Sequence, residues 1–282
     1  MRTVRHWIQL LAALITNAYL PGFRSLTLYQ GVSKQVCVPV LNCYSCPGAV
    51  FSCPVGAMQT LLGSFSHRIS LYVGGLLTLV GAAGGRFACG WFCPFGLLQD
   101  LLKKLHRKAW HLAGPLTLFK YVVLAGTLLL PVLWLQPGGY GWPVFCKFLC
   151  PAGTIEAGLP LGLGRPEFRG LLGLLFSWKV FVLITVMLGS IFYYRPFCRV
   201  LCPLGAFYGL FNRISLWRLE RNDHTCTGCG RCEAVCPMEV PVQTEPNGGD
   251  CIRCLVCRDE CPSGALSFGY ARTIPAADLP SN

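Results

Sequence analysis

Charge is scarce in this sequence. Asp, Glu, Lys and Arg make up 13% of its 282 residues, and only 12 of those are acidic. Soluble domains carry about 25% charged residues. With 53% apolar residues and a mean hydropathy of +0.51, the composition excludes an ordinary soluble globule and reads as a membrane protein. Histidine is scarce too: His6, His67, His106, His111 and His224 offer no facing pair within an apolar run, and no C-x-x-C-H occurs. Haem of the b or c type is therefore not expected. No residue is required as an acid, base or nucleophile, so no catalytic residues are assigned. The net charge of +12 hides an asymmetry: residues 1–221 hold twenty Lys and Arg against four acids, residues 222–282 four against eight. The basic residues flank apolar runs, so lipid headgroups and anionic clusters are their expected partners rather than nucleic acid.

What the chain has in abundance is cysteine, 18 residues of it. The phrase Cys-Pro-x-Gly occurs at Cys53, Cys93, Cys150 and Cys202, and in the last three copies a second cysteine stands four residues earlier, at Cys89, Cys146 and Cys198. The first copy has Cys43 and Cys46 upstream instead. These spacings point to metal ligands rather than to a disulfide-stapled secreted scaffold.

Apolar runs at about 7–23, 68–85, 116–135 and 171–194 approach the roughly 20 residues that cross a bilayer, which predicts a four-helix transmembrane bundle. Thr16-Asn17-Ala18 also fits a signal-peptidase site, so the first helix is either retained or cleaved, and residue 24 onward lies on the far side in both cases. Lys and Arg near the span ends number about thirteen on the N-terminal side and about seven on the other, which sets both termini in the cytoplasm of a multi-pass protein of the cytoplasmic (inner) membrane. Cys89, Cys93, Cys198 and Cys202 then fall at the inner face. Cys37, Cys43, Cys46, Cys53, Cys146 and Cys150 fall at the outer face.

The membrane part, residues 1–221, repeats internally over about 37–110 and 140–218. Phe65-Ser66-His67-Arg68-Ile69 leads to Arg86, Cys89 and Cys93; Phe176-Ser177-Trp178-Lys179-Val180 leads to Arg195, Cys198 and Cys202. Two halves related by an axis along the membrane normal would complete one four-cysteine site on each face. The stretches after Cys93 and after Cys202, the latter running through Phe207, Phe211, Ile214 and Trp217, are amphipathic at helical spacing and fit the interface. From 222 to 270 the chain turns polar and cysteine-rich, a small α+β ferredoxin-like unit, and 271–282 is a tail without periodicity.

That last unit reads Cys226, Cys229, Cys232, Cys236-Pro237 and then Cys251, Cys254, Cys257, Cys261-Pro262. This is the bacterial two-cluster run, in which the cysteine before proline ligates the other [4Fe–4S] cluster. Cys226, Cys229, Cys232 and Cys261 are assigned to one cluster, and Cys251, Cys254, Cys257 and Cys236 to the second. Thiolate is the soft ligand iron–sulfur clusters use, so Cys89, Cys93, Cys198 and Cys202 are assigned to an inner cluster. Repeat symmetry selects Cys46, Cys53, Cys146 and Cys150 for an outer one, with Cys43 as substitute and Cys37 as the non-ligand. Zinc, free thiols and, for the outer set, a disulfide are the competing readings. Arg86 and Arg195, each three residues before a cysteine pair, supply compensating charge. Lys179 and Arg68 either snorkel, tune an outer cluster or bind a quinone headgroup. Glu156 and Asp100 are interfacial carboxylates or carriers of quinone-linked protons.

Asn42-Cys43-Tyr44-Ser45-Cys46-Pro47-Gly48, the run Gly85 to Pro94, the Cys198/Cys202-Pro203 pair and the terminal double quartet together resemble the membrane polyferredoxins of the NapH/NosR type, over roughly residues 1–265. Those proteins are associated with periplasmic nitrate and nitrous-oxide respiration. The resemblance implies a four-helix subunit that passes electrons between the quinol pool and partner redox proteins. A large extracytoplasmic flavin domain, as in NosR-like members, is missing, so this chain is expected to be one subunit of a larger complex, with a reductase, dehydrogenase or electron carrier as partner. Three functions stay open: an electron-transfer subunit with up to four [4Fe–4S] clusters, a quinol dehydrogenase or quinone reductase with its own quinone site, and a redox sensor or metal-reductase-type assembly factor. Lys179 and Arg195 are about sixteen residues apart, roughly 24 Å of helix, a long single hop between face-bound clusters.

Overall fold

The computed structural model describes residues 2–62, 71–106, 110–133, 142–164, 167 and 173–271. The segment Phe65 to Ile69 with His67 and Arg68, the basic pair Arg107 and Lys108, and the tail from 272 lie outside the described residues. What is described is mostly helical, with one two-stranded sheet.

Helix α1 (Arg2–Thr16) and α2 (Leu20–Ser25) open the chain, and residues 26–53 form a loop held by one parallel bridge between Cys37 and Ser52. There follow α3 (Pro54–Leu62), α4 (Leu71–Gly84), α5 (Phe87–Trp91), α6 (Pro94–Lys103) and α7 (Gly114–Leu133). Two π-helical turns, Phe145–Leu149 and Thr154–Gly158, flank α8 (Pro151–Gly153) and lead to α9 (Leu159–Gly164). Then come α10 (Leu174–Phe192), α11 (Pro196–Val200) and α12 (Pro203–Phe211). Every Cys-Pro-x-Gly therefore opens a helix with its proline as first residue, a position that needs no N–H and suits the fixed φ of proline.

Of the four expected spans, α7 and α10 are long and apolar enough to cross a membrane among the described residues. The described part of the second is the 14-residue α4, and α1 has 15 residues. The pattern of burial is inverted relative to a soluble protein. On α1, Arg5 and Gln9 are buried while Trp7, Leu11 and Leu14 are exposed; on α7, Thr117, Lys120 and Thr127 are buried while Leu118, Val122 and Leu133 are exposed; on α10, Ser190 is buried while Phe181, Ile184 and Leu188 are exposed. An apolar surface this extensive needs an apolar environment, and polar groups inside a membrane protein face the bundle interior.

The amphipathic continuation expected through Trp217 stops at Phe211. Asn212 caps the helix, its side chain accepting from Arg86 N (2.8 Å) and donating to the carbonyls of Gly248 and Cys251 (2.9 Å each). Trp217 instead opens strand β1 (Trp217–Arg221), which pairs antiparallel with β2 (Leu266–Tyr270), Trp217 opposite Tyr270 and Arg221 opposite Leu266. This ribbon closes the cysteine-rich unit, which carries α13 (Arg231–Ala234) and α14 (Val256–Asp259).

The unit is clamped to the helices. Buried Arg253 donates to the carbonyls of Gly84, Trp217 and Asn212 and to Ser215, and its own carbonyl accepts from Trp91 Nε1 at 2.9 Å. Gly90 lies so close to the Ile252 carbonyl that a Cβ would stand 2.2 Å from its oxygen. A Gly90→Ala variant should therefore lose about 1–3 kcal/mol, the usual range for overpacking, and hydrogen exchange of residues 249–257 should accelerate more than that of α10.

Candidate metal centres

The two runs of the cysteine-rich unit share a backbone device. Gly228 and Gly230 in the first run, and Arg253 and Leu255 at the matching places of the second, have φ between 53° and 71°. The left-handed conformation costs a non-glycine residue roughly 1–2 kcal/mol, which in the second run the Arg253 contacts offset. Cys236, Cys251, Cys254 and Cys257 ring an enclosed gap of about 20 Å³ walled by Leu219, Met238 and Ile252. Burial pushes the Cys251 and Cys257 thiols up to about 12, so each must surrender a proton to bind a metal. The other set is open: Cys229 is exposed, its thiol held below the usual range by the Arg231 N–H and lying within electrostatic reach of Cys261, while Cys232 neighbours Cys226. Each cysteine before proline thus stands with the opposite run.

Cys89, Cys93, Cys198 and Cys202 surround a gap of about 10 Å³ with Val40, Leu41, Phe95 and Phe197. Two arginines cross over it. Arg86 donates to the Cys198 carbonyl at 2.8 Å, and Arg195 donates to the Cys89 carbonyl at 2.9 Å. Both are fully buried and both have a carboxylate. Asp100 takes Arg195 in a bidentate pair (2.7 and 2.6 Å) and Arg5 at 2.9 Å. Asp100 is therefore a buried ion-pair centre, not the interfacial or quinone-linked carboxylate expected, because two arginines already claim its oxygens. Arg86 binds Asp250 at 2.9 Å, and Lys120 of α7 reaches the same oxygen at 2.5 Å. Burial alone would raise the Asp250 carboxyl, but Arg86 and Lys120 outweigh it and hold it below its usual range.

The second membrane-side set lines a larger cavity of about 440 Å³: Cys43, Cys53, Cys146 and Cys150, with Tyr44, Lys147, Phe176 and Lys179. Cys43 and Cys150 both approach Gly153, and Cys146 approaches Gly56. Cys46 lies outside that lining, near Lys34 and within reach of the Gly48 and Ala49 N–H groups. Cys37 neighbours Cys53 but is held in the bridge to Ser52. Glu156 is half-buried and accepts from Cys43 N at 2.7 Å. The two membrane-side sites share one lining residue and are bordered by neighbouring aromatic rings. Loop residue Leu41 lines both cavities, and Phe197, edge-on to Phe95 of the inner site at 5.1 Å, lies 6.5 Å from Phe145, the residue before Cys146. The loop 37–53 thus contributes a side chain to both cavities.

Three of the sets place four thiols around a gap, the donor set of a [4Fe–4S] cluster. Among the described residues no three Cys, His, Asp or Glu side chains converge on one point as a single tetrahedral ion requires. In each Cys-Pro-x-Gly the glycine N–H points at the cysteine sulfur: Gly153 N to Cys150 Sγ and Gly205 N to Cys202 Sγ are both 3.3 Å, and Gly56 and Gly96 serve Cys53 and Cys93 alike. The residues fit the group. Asp250 and Asn212 were not singled out from the sequence; Lys120, a lone cation in an apolar run, was the signal that a buried carboxylate must answer it.

A family described as a 4Fe-4S binding domain matches residues 51–72, 70–113, 119–159 and 174–222, more than half of the chain. An uncharacterized protein of Methanocaldococcus jannaschii is 32% identical over 75% of this chain and 82% of its own. The methylamine utilization ferredoxin-type protein MauN of Methylorubrum extorquens is 31% identical over 74% and 71%, and the ferredoxin-type protein NapH of Haemophilus influenzae 27% identical over 68% of each. No solved structure matches. The chain belongs to the 4Fe-4S binding domain family, as a NapH/NosR-type polyferredoxin within the ferredoxin-type electron-transport proteins.

At Gly205 an added Cβ would lie 3.0 Å from Arg86 Nη2 and 3.1 Å from the Cys198 carbonyl; at Gly96 it would lie 3.0 Å from Arg195 Nη1. Gly205→Ala should press the crossing arginine off its carbonyl and destabilise the helical part by about 1–3 kcal/mol, read as a lower thermal midpoint in detergent, whereas Gly74→Ala, which meets nothing within 4 Å, should not.

Proposed function

We propose that this chain is a membrane electron-transfer subunit whose four cysteine quartets hold four [4Fe–4S] clusters and relay single electrons between the cytoplasmic side and the outer side of the cytoplasmic membrane. The reading takes residues 1–221 as a four-helix membrane unit with a two-fold internal repeat and 222–270 as the cytoplasmic ferredoxin unit, both termini on the basic side. Its outer quartet is Cys43, Cys53, Cys146 and Cys150; the lining of the 440 Å³ cavity supports Cys43 over Cys46.

The observation that carries the proposal is the continuity of the sets. Leu41 borders the outer and inner cavities. Arg86 lines the inner one and binds Asp250, the residue before Cys251 of the ferredoxin unit. When bound, the clusters supply one-electron redox chemistry whose potential is set by ligands, charge and hydrogen bonds. The chain's own residues exclude water, fix the spacing and compensate the negative charge.

A second reading, a quinol dehydrogenase or quinone reductase, is favoured by one feature. The outer cavity, about 440 Å³, lies in the range of small-molecule sites, and Lys147 and Lys179 line it beside apolar walls. A quinone there would exchange electrons with the outer quartet, and a second redox protein would serve the ferredoxin unit.

Iron and sulfide quantitation with EPR tests the proposal. Four clusters give roughly sixteen iron per chain. Cys198→Ser and Cys43→Ser should each remove about four, whereas Cys46→Ser should remove none. Transfer from a cytoplasmic donor to an outer acceptor in quinone-free liposomes supports the relay; transfer that needs added quinone supports the second reading instead.

A further inference from the structure

Six residues beyond Cys53 and Cys93, two turns into the helices these cysteines open, stand Gln59 and Gln99. Both are fully buried. Each aims its amide nitrogen at a sulfur of the other half of the chain. Gln59 Nε2 lies 3.2 Å from Cys146 Sγ, and Gln99 Nε2 lies 3.1 Å from Cys198 Sγ. In both cases the sulfur belongs to the first cysteine of a C-x-x-x-C-Pro pair. The same amide also donates back to the carbonyl four residues earlier in its own helix, Val55 at 3.2 Å and Phe95 at 3.4 Å. One N–H is therefore tied to the helix and the other is directed at the thiol. Gln59 is fixed further, its carbonyl oxygen accepting from Phe145 N at 2.9 Å.

A buried side-chain amide must use its donors, and a thiolate sulfur is what these two are offered. A hydrogen bond to an ionised acceptor is stronger than one between neutral groups, and it strengthens as negative charge accumulates on the acceptor. A donor aimed at a ligand sulfur thus favours the reduced form of the centre that sulfur holds. The corresponding places after Cys150 and Cys202 carry Glu156 and Tyr208, which spend their polar groups on the backbone at Cys43 N and the Pro39 carbonyl. The tuning contact comes from one half of the chain only, and at both membrane-side sites.

We propose that Gln59 and Gln99 are positioning residues that raise the reduction potentials of the outer and inner centres through N–H···S hydrogen bonds to Cys146 and Cys198. The inference rests on the cluster assignment above. Removing groups that hydrogen-bond to ligands typically costs 10- to 100-fold in metal affinity or activity. Loss of one donor should therefore lower the reduced-to-oxidised ratio at fixed potential by about tenfold, equivalent to about 59 mV for a one-electron couple.

The test is an EPR-monitored redox titration of full-length protein in detergent, comparing wild type with Gln99→Leu and with Gln99→Met, which keeps the length of the side chain but has no donor. Iron content is measured in parallel. The expected result is an inner-site signal of normal intensity whose midpoint moves negative, the ferredoxin-unit signals unmoved. Gln59→Met should do the same for the outer site. An unchanged midpoint at full iron content would overturn the inference while leaving the cluster assignment intact. If both Gln99 variants lose four iron, the residue is needed to build the site and not to tune it, which also overturns it. Absence of membrane-side signals in the wild type would instead strike the underlying assignment.

Discussion

Two fully buried arginines that reach across to each other's cysteine carbonyls impose the arrangement on which the rest depends. A guanidinium without solvent must find both acceptors and a counter-charge. Arg195 finds Asp100, seven residues after Cys93. The matching place after Cys202 is Gly209, and the backbone of 249–250 fills it: a Cβ there would lie 2.8 Å from the Gly249 carbonyl oxygen. Asp250 enters with that loop and answers Arg86 and Lys120 together. Removing one partner of a buried pair costs about 3–5 kcal/mol because the remaining charge is left unanswered. The cysteine-rich unit is therefore fixed to the helices by an electrostatic demand that one half of the chain meets internally and the other half cannot.

This broken equivalence has a consequence for redox chemistry. Asp250 precedes Cys251, so the charge that completes the inner arginine pair also brings a buried ferredoxin-type quartet against it. On the opposite side the loop 37–53 contributes Leu41 to two cavities. The neighbouring aromatic side chains Phe95, Phe197 and Phe145 border them. Under the proposed reading this packing shortens each step of the relay and keeps water out.

Glycine explains why a four-letter phrase recurs. Proline ends the approach to the cysteine and starts a helix, but the glycine two places on does two jobs. Its N–H meets the sulfur, and at the inner pair its missing side chain leaves room for the other half's arginine. Ala would fit the helix equally well but, at the inner pair, would crowd the arginine.

The amino-acid sequence by itself determined the inventory: scarce charge and apolar runs that require lipid, Cys-Pro-x-Gly as a helix opener, and the two cysteine runs, because these depend on local spacing and composition. Tertiary structure alone decided which distant groups meet. Cys43 rather than Cys46 faces the outer cavity because of how the loop turns, and Asp100 is consumed by Arg195 and Arg5, whose approach no periodicity encodes. Gln59 and Gln99 look like unremarkable helix residues in the sequence; only the packing of one half against the other turns their amides toward sulfur. Asp250 takes its role from an absence, the missing carboxylate at Gly209, which has meaning only once the two halves stand side by side.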